Sequence, residues 1–424
     1  MAIPGGRWTS AEARAAAASI VRRLRDAGHV AYFAGGCVRD ELLGFEPTDY
    51  DVATDARPDA LRTMFRNTAA VGASFGVVLV KERGVTVEVA TFRSDGPYTD
   101  RRRPDHVEFA DAAADARRRD FTINALFIDP LEPPGPDGAR VIDLVGGRED
   151  LRARVVRAVG DPEARLAEDH LRALRGVRFA ARYGFEIDPA TREAMTGHAR
   201  ALAGVSRERI GEEVRRMLAH PARARAVELL HALTLDAPVL DAPPTRRVGR
   251  ALEGLPPGSS VRASLAAWAL DLQPSGRVEG SGTPGLVRRW RRALCLSNAE
   301  GDGLRACLEG VRSLESGWLG KGVAARKREA AGEWFPDALA IVAARDRALA
   351  GEIRADVGRL AVQDGGLAPP ALIDGTDLQR MGMSPGPAFA RILREVYDAQ
   401  LEGRVRTREE AEARAMELGG SGGV

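Results

Sequence analysis

The chain has 424 residues, with 62 Lys and Arg against 60 Asp and Glu, so its formal net charge is only +2. At roughly 100–200 residues per domain, this length predicts two to four domains. The near balance of charge excludes a bulk polycation of the histone type, but it leaves room for a local basic surface that binds nucleic acid. Arginine supplies 59 of the 62 basic side chains. A GC-rich genome explains such a bias, although arginine also suits bidentate phosphate recognition.

Cysteine content and hydropathy give a first expectation about location. Cys37, Cys295 and Cys307 are too few for a disulfide framework, and the absence of CxxC spacing argues against a structural zinc site. No apolar run approaches the roughly 20 residues of a membrane span, and residues 1–18 lack the pattern of a signal peptide. We therefore expect a cytoplasmic protein without a membrane partner.

Helix and strand patterns alternate in the first part of the chain. Helical spacing occurs at 12–27, 37–43 and 58–65, and strand patterns occur at 29–34, 49–54, 75–81 and 85–92. Glu82-Arg83-Gly84 joins the last two strands and predicts an antiparallel hairpin. Residues 92–105, which we expect to be mobile, and residues 131–138 have loop composition.

Strand signals fade after about residue 147, and helical patterns replace them. One continuous helix is predicted over 161–183, with Pro162 in its first turn. Helices are also predicted at 207–219 and 222–235, and Pro- and Gly-rich stretches interrupt the pattern at 236–245 and 254–260. The predicted fold class is therefore α+β, with a small mixed-sheet head followed by an all-helical remainder.

A glycine pair between a predicted strand and a predicted helix is the first candidate for a binding site. Gly35 and Gly36 lack a Cβ, so the backbone there can approach a phosphate closely. Arg39 would lie on the first helical turn and face the same phosphates. Taken alone, a Gly-Gly pair is more often an ordinary turn.

Carboxylates on two predicted strands form the second candidate. Asp49 and Asp51 flank one strand residue, and the two-residue period of a strand puts both side chains on one face. Paired carboxylates repel each other unless a cation lies between them, and Mg²⁺ prefers such oxygen ligands. Glu88 adds a third acid among apolar neighbours, where an inward carboxylate would be costly unless it were paired or next to a metal. The alternative reading of the Asp pair alone is a solvated strand edge.

Several ordered motifs resemble one known family. They are GGCVRD, DYDVATDA, FGVVLV, VEVATFRSDGPYTDRRRP, RRDFTINAL, DLVGGREDL, VRAVGDP, EDHLRALRGVRF and SRERI. This order is similar to that of the class II tRNA nucleotidyltransferases and bacterial poly(A) polymerases, over about residues 30–218. Residues 372–406 resemble the tail of many CCA-adding enzymes, whereas residues 221–370 match no pattern that we can name.

The resemblance implies a fold and a domain order. The family has a DNA-polymerase-β-like nucleotidyltransferase head followed by a helical neck, body and tail. On this chain, we expect the catalytic head at 1–147, a neck that recognises the base at 148–220, a body at 221–365 and a tRNA-binding tail at 366–424. Oligomeric state is left undetermined.

The resemblance also implies roles for individual residues. Asp49 and Asp51 match the metal-binding, catalytic carboxylates, and Glu88 matches the third acid, which supports the metal or assists proton removal. Mg²⁺ would be the cofactor, and the tRNA 3′ end, CTP and ATP would be the partners. The matching nucleotide-binding positions are Gly35, Gly36, Arg39, Arg119, Asp169, Arg172, Arg175 and Arg178.

The base-recognition assignment has a physical rationale. On one continuous helix, Asp169 and Arg172 would be neighbours at i and i+3. A carboxylate accepts from the exocyclic amine of cytosine or adenine, and a guanidinium donates to the ring acceptors beside that amine. Uracil and guanine present the opposite pattern and would leave buried groups unsatisfied. The pair would therefore select C and A without a template. The alternative is a solvated helix face with an Asp169–Arg172 salt bridge.

The motifs leave three activities open. The favoured activity is complete CCA addition, because the stretch at 372–406 resembles the tail of CCA-adding enzymes. By the same resemblance, the loop at 92–105 favours either complete CCA addition or addition of the terminal A. A poly(A) polymerase and an enzyme that adds only the terminal A share the same head motifs. A non-catalytic RNA-binding protein is disfavoured, since both Asp49 and Asp51 are present.

Overall fold

The structure is a computed structural model that describes residues 8–70, 76–96, 107–133, 141–243, 250–273, 282–363 and 365–420. The chain divides into two compact units, one formed by residues 1–217 with 225–244 and the other by residues 218–224 with 245–424. The four-part division into head, neck, body and tail remains a prediction.

The strands lie in the first unit. They are β1 Ala31–Ala34, β2 Asp51–Thr54, β3 Thr68–Ala70, β4 Val77–Glu82, β5 Val85–Thr91, β6 Arg93–Asp95, β7 Val107–Phe109, β8 Phe127–Ile128, β9 Val141–Ile142, β10 Val155–Val156 and β11 Glu186–Ile187.

The helices extend through both units. They are α1 Ser10–Asp26, α2 Gly36–Leu42, α3 Pro58–Met64, α4 Ala112–Arg117, α5 Gly147–Ala153, α6 Pro162–Glu168, α7 Leu171–Tyr183, α8 Pro189–Gly197, α9 Arg207–Leu218, α10 Arg223–Ala232, α11 Asp236–Leu240, α12 Val261–Asp271, α13 Thr283–Ala293, α14 Asn298–Glu315, α15 Val323–Ala330, α16 Phe335–Arg345, α17 Arg347–Ala361, α18 Gly375–Arg380, α19 Pro387–Leu401 and α20 Arg408–Gly420. Short 3-10 helices occupy Thr122–Asn124, Ala199–Gly204 and Trp318–Gly320.

A mixed sheet organises the first unit. Seven strands follow the order β3-β4-β5-β2-β1-β8-β9, in which β2 and β5 run parallel and the other neighbouring pairs are antiparallel. The predicted hairpin is confirmed, because Glu82 of β4 pairs with Val85 of β5. Arg83 and Gly84 between them both have positive φ, which suits a two-residue hairpin turn.

Helix α1 packs against the sheet and covers one of its faces. Its six buried side chains recur at helical spacing and are Ala13, Ala16, Ala17, Ile20, Val21 and Leu24. Thr9 and Glu12 form a capping box at its start, and Gly28 follows its end with a φ of +86°. The strands contribute buried residues such as Phe33, Val52 and Val89 to the core.

The segment 161–183 differs from the sequence prediction in one important respect. The predicted single helix over 161–183 is wrong, since α6 ends at Glu168 and α7 begins at Leu171. Asp169 between them is extended, with φ −150° and ψ 102°, and its Oδ1 accepts the backbone N–H of Leu171 at 3.1 Å. Aspartate favours this arrangement because its short side chain competes with the helix for backbone donors.

Smaller differences from the prediction involve short strands and one short helix. Val155–Val156 and Glu186–Ile187 form a short parallel ladder where strands were not expected, and the predicted Pro- and Gly-rich interruption contains the short helix α11. The expected mobile loop at 92–105 is wrong at its start, since Arg93–Asp95 pairs with Val107–Phe109. Most of the remaining loop lies outside the described residues.

The second unit is helical where it is described. Trp268 of α12 and Trp290 of α13 are buried with their ring centroids 5.2 Å apart, and Trp318 lies beside Phe335. A separate apolar cluster joins α18, α19 and α20 and includes Leu378, Ile392, Val396, Ala411 and Ala415. Together with the sheet in the first unit, these helices confirm the α+β fold class. None of the helices in the described ranges is long and apolar enough to cross a membrane.

Candidate active site

A cavity of about 630 Å³ opens in the first unit beside the sheet. Ten of the predicted site residues line it, namely Gly35, Gly36, Arg39, Asp49, Asp51, Glu88, Arg119, Asp169, Arg172 and Arg175. The exception is Arg178, which donates from Nε to Glu213 at 2.6 Å and lies over the ring of Phe179. The fold therefore brings together residues that are far apart in sequence, and their chemical roles remain predictions.

The glycine pair forms the turn between β1 and α2. Gly35 has a φ of +74°, a conformation that strains other residues, and a Cβ there would lie 2.9 Å from the NH1 atom of Arg119. A Cβ on Gly36 would lie 3.6 Å from Arg39, which is an ordinary contact distance. The backbone thus requires glycine at position 35, whereas position 36 requires it only if a ligand approaches.

The two aspartates face the cavity because the residue between them faces the other way. Tyr50 is buried, its ring centroid lies 5.1 Å from that of Phe33, and its hydroxyl donates to Glu41 at 2.6 Å. Asp51 is the first residue of β2, and Asp49 precedes this strand. The two-residue period predicted from the sequence therefore agrees with the structure, since both carboxylates line the cavity.

Glu88 lines the cavity together with Asp49 and Asp51, and these three carboxylates form its acidic wall. The parallel register of β2 and β5 pairs Val52 with Val89, which places Glu88 next to Asp51. Val87 and Val89 are buried on one face of the strand, and Glu88 on the opposite face lines the cavity beside the two aspartates. Strand alternation explains this placement: apolar neighbours in sequence point away from it.

The electrostatics of this wall show that the carboxylates repel one another. Burial and the charges of Glu88 and Asp49 raise the pKa of Asp51 to about 7, although Arg119 opposes this shift. Burial and Asp49 also raise the pKa of Glu88. Within the described ranges, no three or more His, Cys, Asp or Glu side chains form a metal centre by themselves. A cation here would need further ligands from a substrate, as Mg²⁺ often does with phosphates.

Arg39 is almost completely buried between α2 and α7. Its guanidinium lies 5.0 Å from the ring centroid of Phe179 and 4.7 Å from that of Tyr183. Its Nε donates to Asp40 at 2.9 Å, and its NH1 donates to Oδ1 of Asn124. Arg39 therefore connects two helices as well as lining the cavity.

A network of hydrogen bonds extends from Arg39 along the cavity wall. Asn124 donates from Nδ2 to Oδ1 of Asp120 at 3.0 Å, and Arg175 donates from Nε to the other oxygen of Asp120 at 2.8 Å. Burial would raise the pKa of Asp120, but the charge of Arg175 and the hydrogen bonds from Asn124, Arg175 and the Phe121 N–H lower it to about 2. Arg119 donates to the carbonyl of Asn124 at 3.0 Å. Asp120 is thus a fixed anion.

The base-recognition residues are arranged differently from the prediction. Asp169 and Arg172 do not share one helix, and they do not form the salt bridge offered as the alternative. Asp169 receives a bidentate contact from Arg209, with distances of 2.6 and 3.2 Å. Arg172 instead donates to Glu168 and to the carbonyl of Arg165.

Sequence reasoning missed several residues at this site. Asp120, Asn124 and Arg216 line the cavity, and Arg209 contacts Asp169 from a helix 40 residues later. Asp120, Asn124 and Arg209 lie inside the motifs RRDFTINAL and SRERI, so those motifs contained a signal without indicating a role.

Comparison with known proteins agrees with this architecture. Residues 31–157 match the poly(A) polymerase head domain, and residues 184–243 match the probable RNA and SrmB-binding site of polymerase A. The chain is 34% identical over 388 residues to a CCA-adding enzyme of Levilactobacillus brevis, covering 91% of this chain and 93% of that protein. The chain belongs to the CCA-adding enzyme and poly(A) polymerase family.

Two further relatives support membership of this nucleotidyltransferase family. A CCA-adding enzyme of Geobacillus stearothermophilus is 42% identical over 222 residues, which is 52% of this chain and 53% of that protein. The crystal structure of the Bacillus stearothermophilus CCA-adding enzyme in complex with CTP superimposes with a TM-score of 0.77 and 29% identity, covering 96% of this chain and 98% of that one. The head of this family member is therefore a nucleotidyltransferase head.

Proposed function

We propose that this enzyme adds CCA to the 3′ end of tRNA from CTP and ATP, without a nucleic-acid template and with release of pyrophosphate. The observation that carries the proposal is the single cavity that Asp49 and Asp51 share with Asp169 and Arg172. It combines an acidic wall suited to phosphoryl transfer with charged groups suited to reading a base. The similarity to CCA-adding enzymes favours this activity over poly(A) synthesis or addition of A alone.

We propose Asp49 and Asp51 as the residues that would hold Mg²⁺. The donor set fits, because hard carboxylate oxygens lie together and repel one another where a divalent cation would neutralise them. When bound, Mg²⁺ would polarise the α-phosphate of the incoming nucleotide and lower the pKa of the attacking 3′-hydroxyl. Glu88 lies beside Asp51 and would support this wall or accept the hydroxyl proton.

Basic residues on the other walls would hold the nucleotide. The Gly35-Gly36 turn allows close approach to the triphosphate, and Arg39 and Arg119 supply positive charge next to it. Asp169 would accept from N4 of cytosine or N6 of adenine, and Arg172 would donate to the neighbouring ring acceptor. Arg175 would stay fixed through its ion pair with Asp120.

We propose that the head, neck, body and tail follow the boundaries expected from the sequence, with the tail at 366–424 gripping tRNA by its shape and backbone. We also propose a cytoplasmic location. All three cysteines are unpaired, and disulfides are rare in reducing compartments.

Product length tests the proposed activity. Purified protein, Mg²⁺ and tRNA transcripts ending in the discriminator base, in C or in CC would be incubated with CTP, ATP or both. We expect each transcript to be completed to CCA and extended no further. A single A added only to the CC-ended transcript would identify an A-adding enzyme, and long A tails on unrelated RNA would identify a poly(A) polymerase. Either result would contradict the proposal, as would a lack of incorporation.

A further inference from the structure

We propose that Arg209 is a positioning residue that holds the carboxylate of Asp169 in the orientation needed for base selection. This inference rests on the proposed function, in which Asp169 reads the amino group of the incoming base. Arg209 of α9 donates from NH2 to Oδ2 of Asp169 at 2.6 Å and from NH1 to Oδ1 at 3.2 Å. Such a two-point contact fixes the plane of the carboxylate as well as its position.

The backbone around Asp169 explains why an external partner is needed. Asp169 is extended between α6 and α7, so no helix packs its side chain against a neighbouring turn. Arg172 and Arg175 line the same cavity and would attract a carboxylate that was free to rotate. The contact with Arg209 instead keeps the Asp169 carboxylate turned towards α9.

The hydrogen-bond capacity of Asp169 supports the same role. A carboxylate has about four acceptor positions. The Leu171 N–H and NH1 of Arg209 occupy Oδ1, while NH2 of Arg209 occupies one position on Oδ2. One position on Oδ2 remains. A single acceptor is enough to distinguish the amino group of cytosine from the carbonyl of uracil, because two acceptors repel each other.

Arg209 acts through Asp169 rather than by touching the nucleotide. The cavity is lined by Asp169 and Arg172, and Arg209 is absent from the described residues that line it. Its guanidinium approaches from α9, 40 residues after Asp169. Loss of Arg209 should therefore alter the choice between bases more than it alters binding of the triphosphate that all nucleotides share.

The test compares Arg209→Met and Arg209→Lys with the wild-type protein. Arg207→Met is a matched control, because Arg207 lies on the same helix but donates to the carbonyls of Pro238 and Val239. For each protein, kcat/KM for incorporation of CTP and of UTP would be measured on a tRNA that lacks CCA. Circular dichroism and thermal unfolding would establish that each variant is folded.

We expect Arg209→Met to lower the ratio of kcat/KM for CTP to that for UTP by about tenfold or more, the loss typical of one charge-assisted hydrogen bond. Arg209→Lys should recover part of the ratio, since its ammonium is a point charge that cannot grip both oxygens. Arg207→Met should leave the ratio unchanged.

Two results would overturn the inference, and they can be told apart from failure of the proposed function. If Arg209→Met lowers kcat/KM equally for CTP and UTP, Arg209 is only a structural brace. If the variant keeps the wild-type kcat/KM for both CTP and UTP, Asp169 does not need Arg209. A wild-type protein that fails to distinguish CTP from UTP would instead contradict base reading itself, and the role of Arg209 would fall with it.

Discussion

The hydroxyl of Tyr183 donates to Oδ1 of Asp40 at 2.8 Å, although 143 residues separate the two in sequence. This bond joins the end of α7 to α2, the helix that follows the Gly35-Gly36 turn. Arg39 lies between the same elements, against the rings of Tyr183 and Phe179. The Gly35-Gly36 turn and helix α7, which follows Asp169, are therefore held together by these contacts.

Tyr183→Phe tests this connection. It removes one hydrogen bond to a charged group but keeps the ring that Arg39 contacts, so it should cost about 2 kcal/mol of folding free energy. It should also raise KM for CTP, because α2 would lose its fixed position. Tyr397→Phe is the control, since the Tyr397 hydroxyl bonds to the carbonyl of Pro369 in the other unit. An unchanged KM in Tyr183→Phe would show that α2 is positioned without this bond.

The carboxylates of the acidic wall should be needed for nucleotide addition but not for binding of tRNA. Asp49→Ala or Asp51→Asn should reduce nucleotide addition by at least about a thousandfold, because the remaining carboxylate cannot bind a divalent cation in the same way. Binding of tRNA, measured by filter retention, should change little. Asp59→Asn is a control on the exposed side of α3. Substantial activity in Asp49→Ala would refute the metal assignment.

The two glycines should respond differently to the same change. Gly35→Ala places a side chain at a φ of +74° and should cost about 1–3 kcal/mol of stability. Gly36→Ala meets only an ordinary contact at 3.6 Å, so its melting temperature should stay near that of the wild type. If a triphosphate approaches this backbone, Gly36→Ala should nevertheless raise KM for CTP. Wild-type kinetics in Gly36→Ala would argue against a phosphate at this turn.

The pair of Asp120 and Arg175 predicts how stability depends on acid. The pKa of Asp120 in the folded protein is about 2, below the value of about 3.9 for an unperturbed aspartate. A lowered pKa contributes stability that is present above about pH 4 and is lost as the pH falls towards 2. Asp120→Asn should therefore lower the melting temperature at neutral pH and reduce its fall between pH 4 and pH 2.5. An unchanged acid dependence would contradict the assignment.

The spacing of apolar residues, which repeats every two residues in strands and every three to four in helices, predicted much of this architecture. It gave the hairpin of β4 and β5, the amphipathic helix α1 and the shared face of Asp49 and Asp51. The same reasoning failed at Asp169, because a charged residue inside a helical pattern does not reveal that its side chain captures the N–H of Leu171. Helical spacing then suggested Arg172 as a partner that the structure does not provide.

Contacts between distant segments could not be predicted. Arg209 is 40 residues from Asp169, Arg175 is 55 residues from Asp120, and Arg39 is 85 residues from Asn124. No local period relates such positions, since they depend on how distant segments of the chain meet in the folded protein. Ordered family motifs identified the segments that meet, but they did not identify which side chains bond to each other.

Substitution of Asp169 shows whether the protein itself selects the base of the incoming nucleotide. Wild-type protein and Asp169→Ala would each be given a tRNA that lacks CCA together with one of the four nucleoside triphosphates, and incorporation would be measured at matched concentrations. We expect the wild type to use CTP and ATP and to reject UTP and GTP, whereas Asp169→Ala should accept all four with smaller differences. Unchanged rejection of UTP and GTP by Asp169→Ala would contradict this expectation.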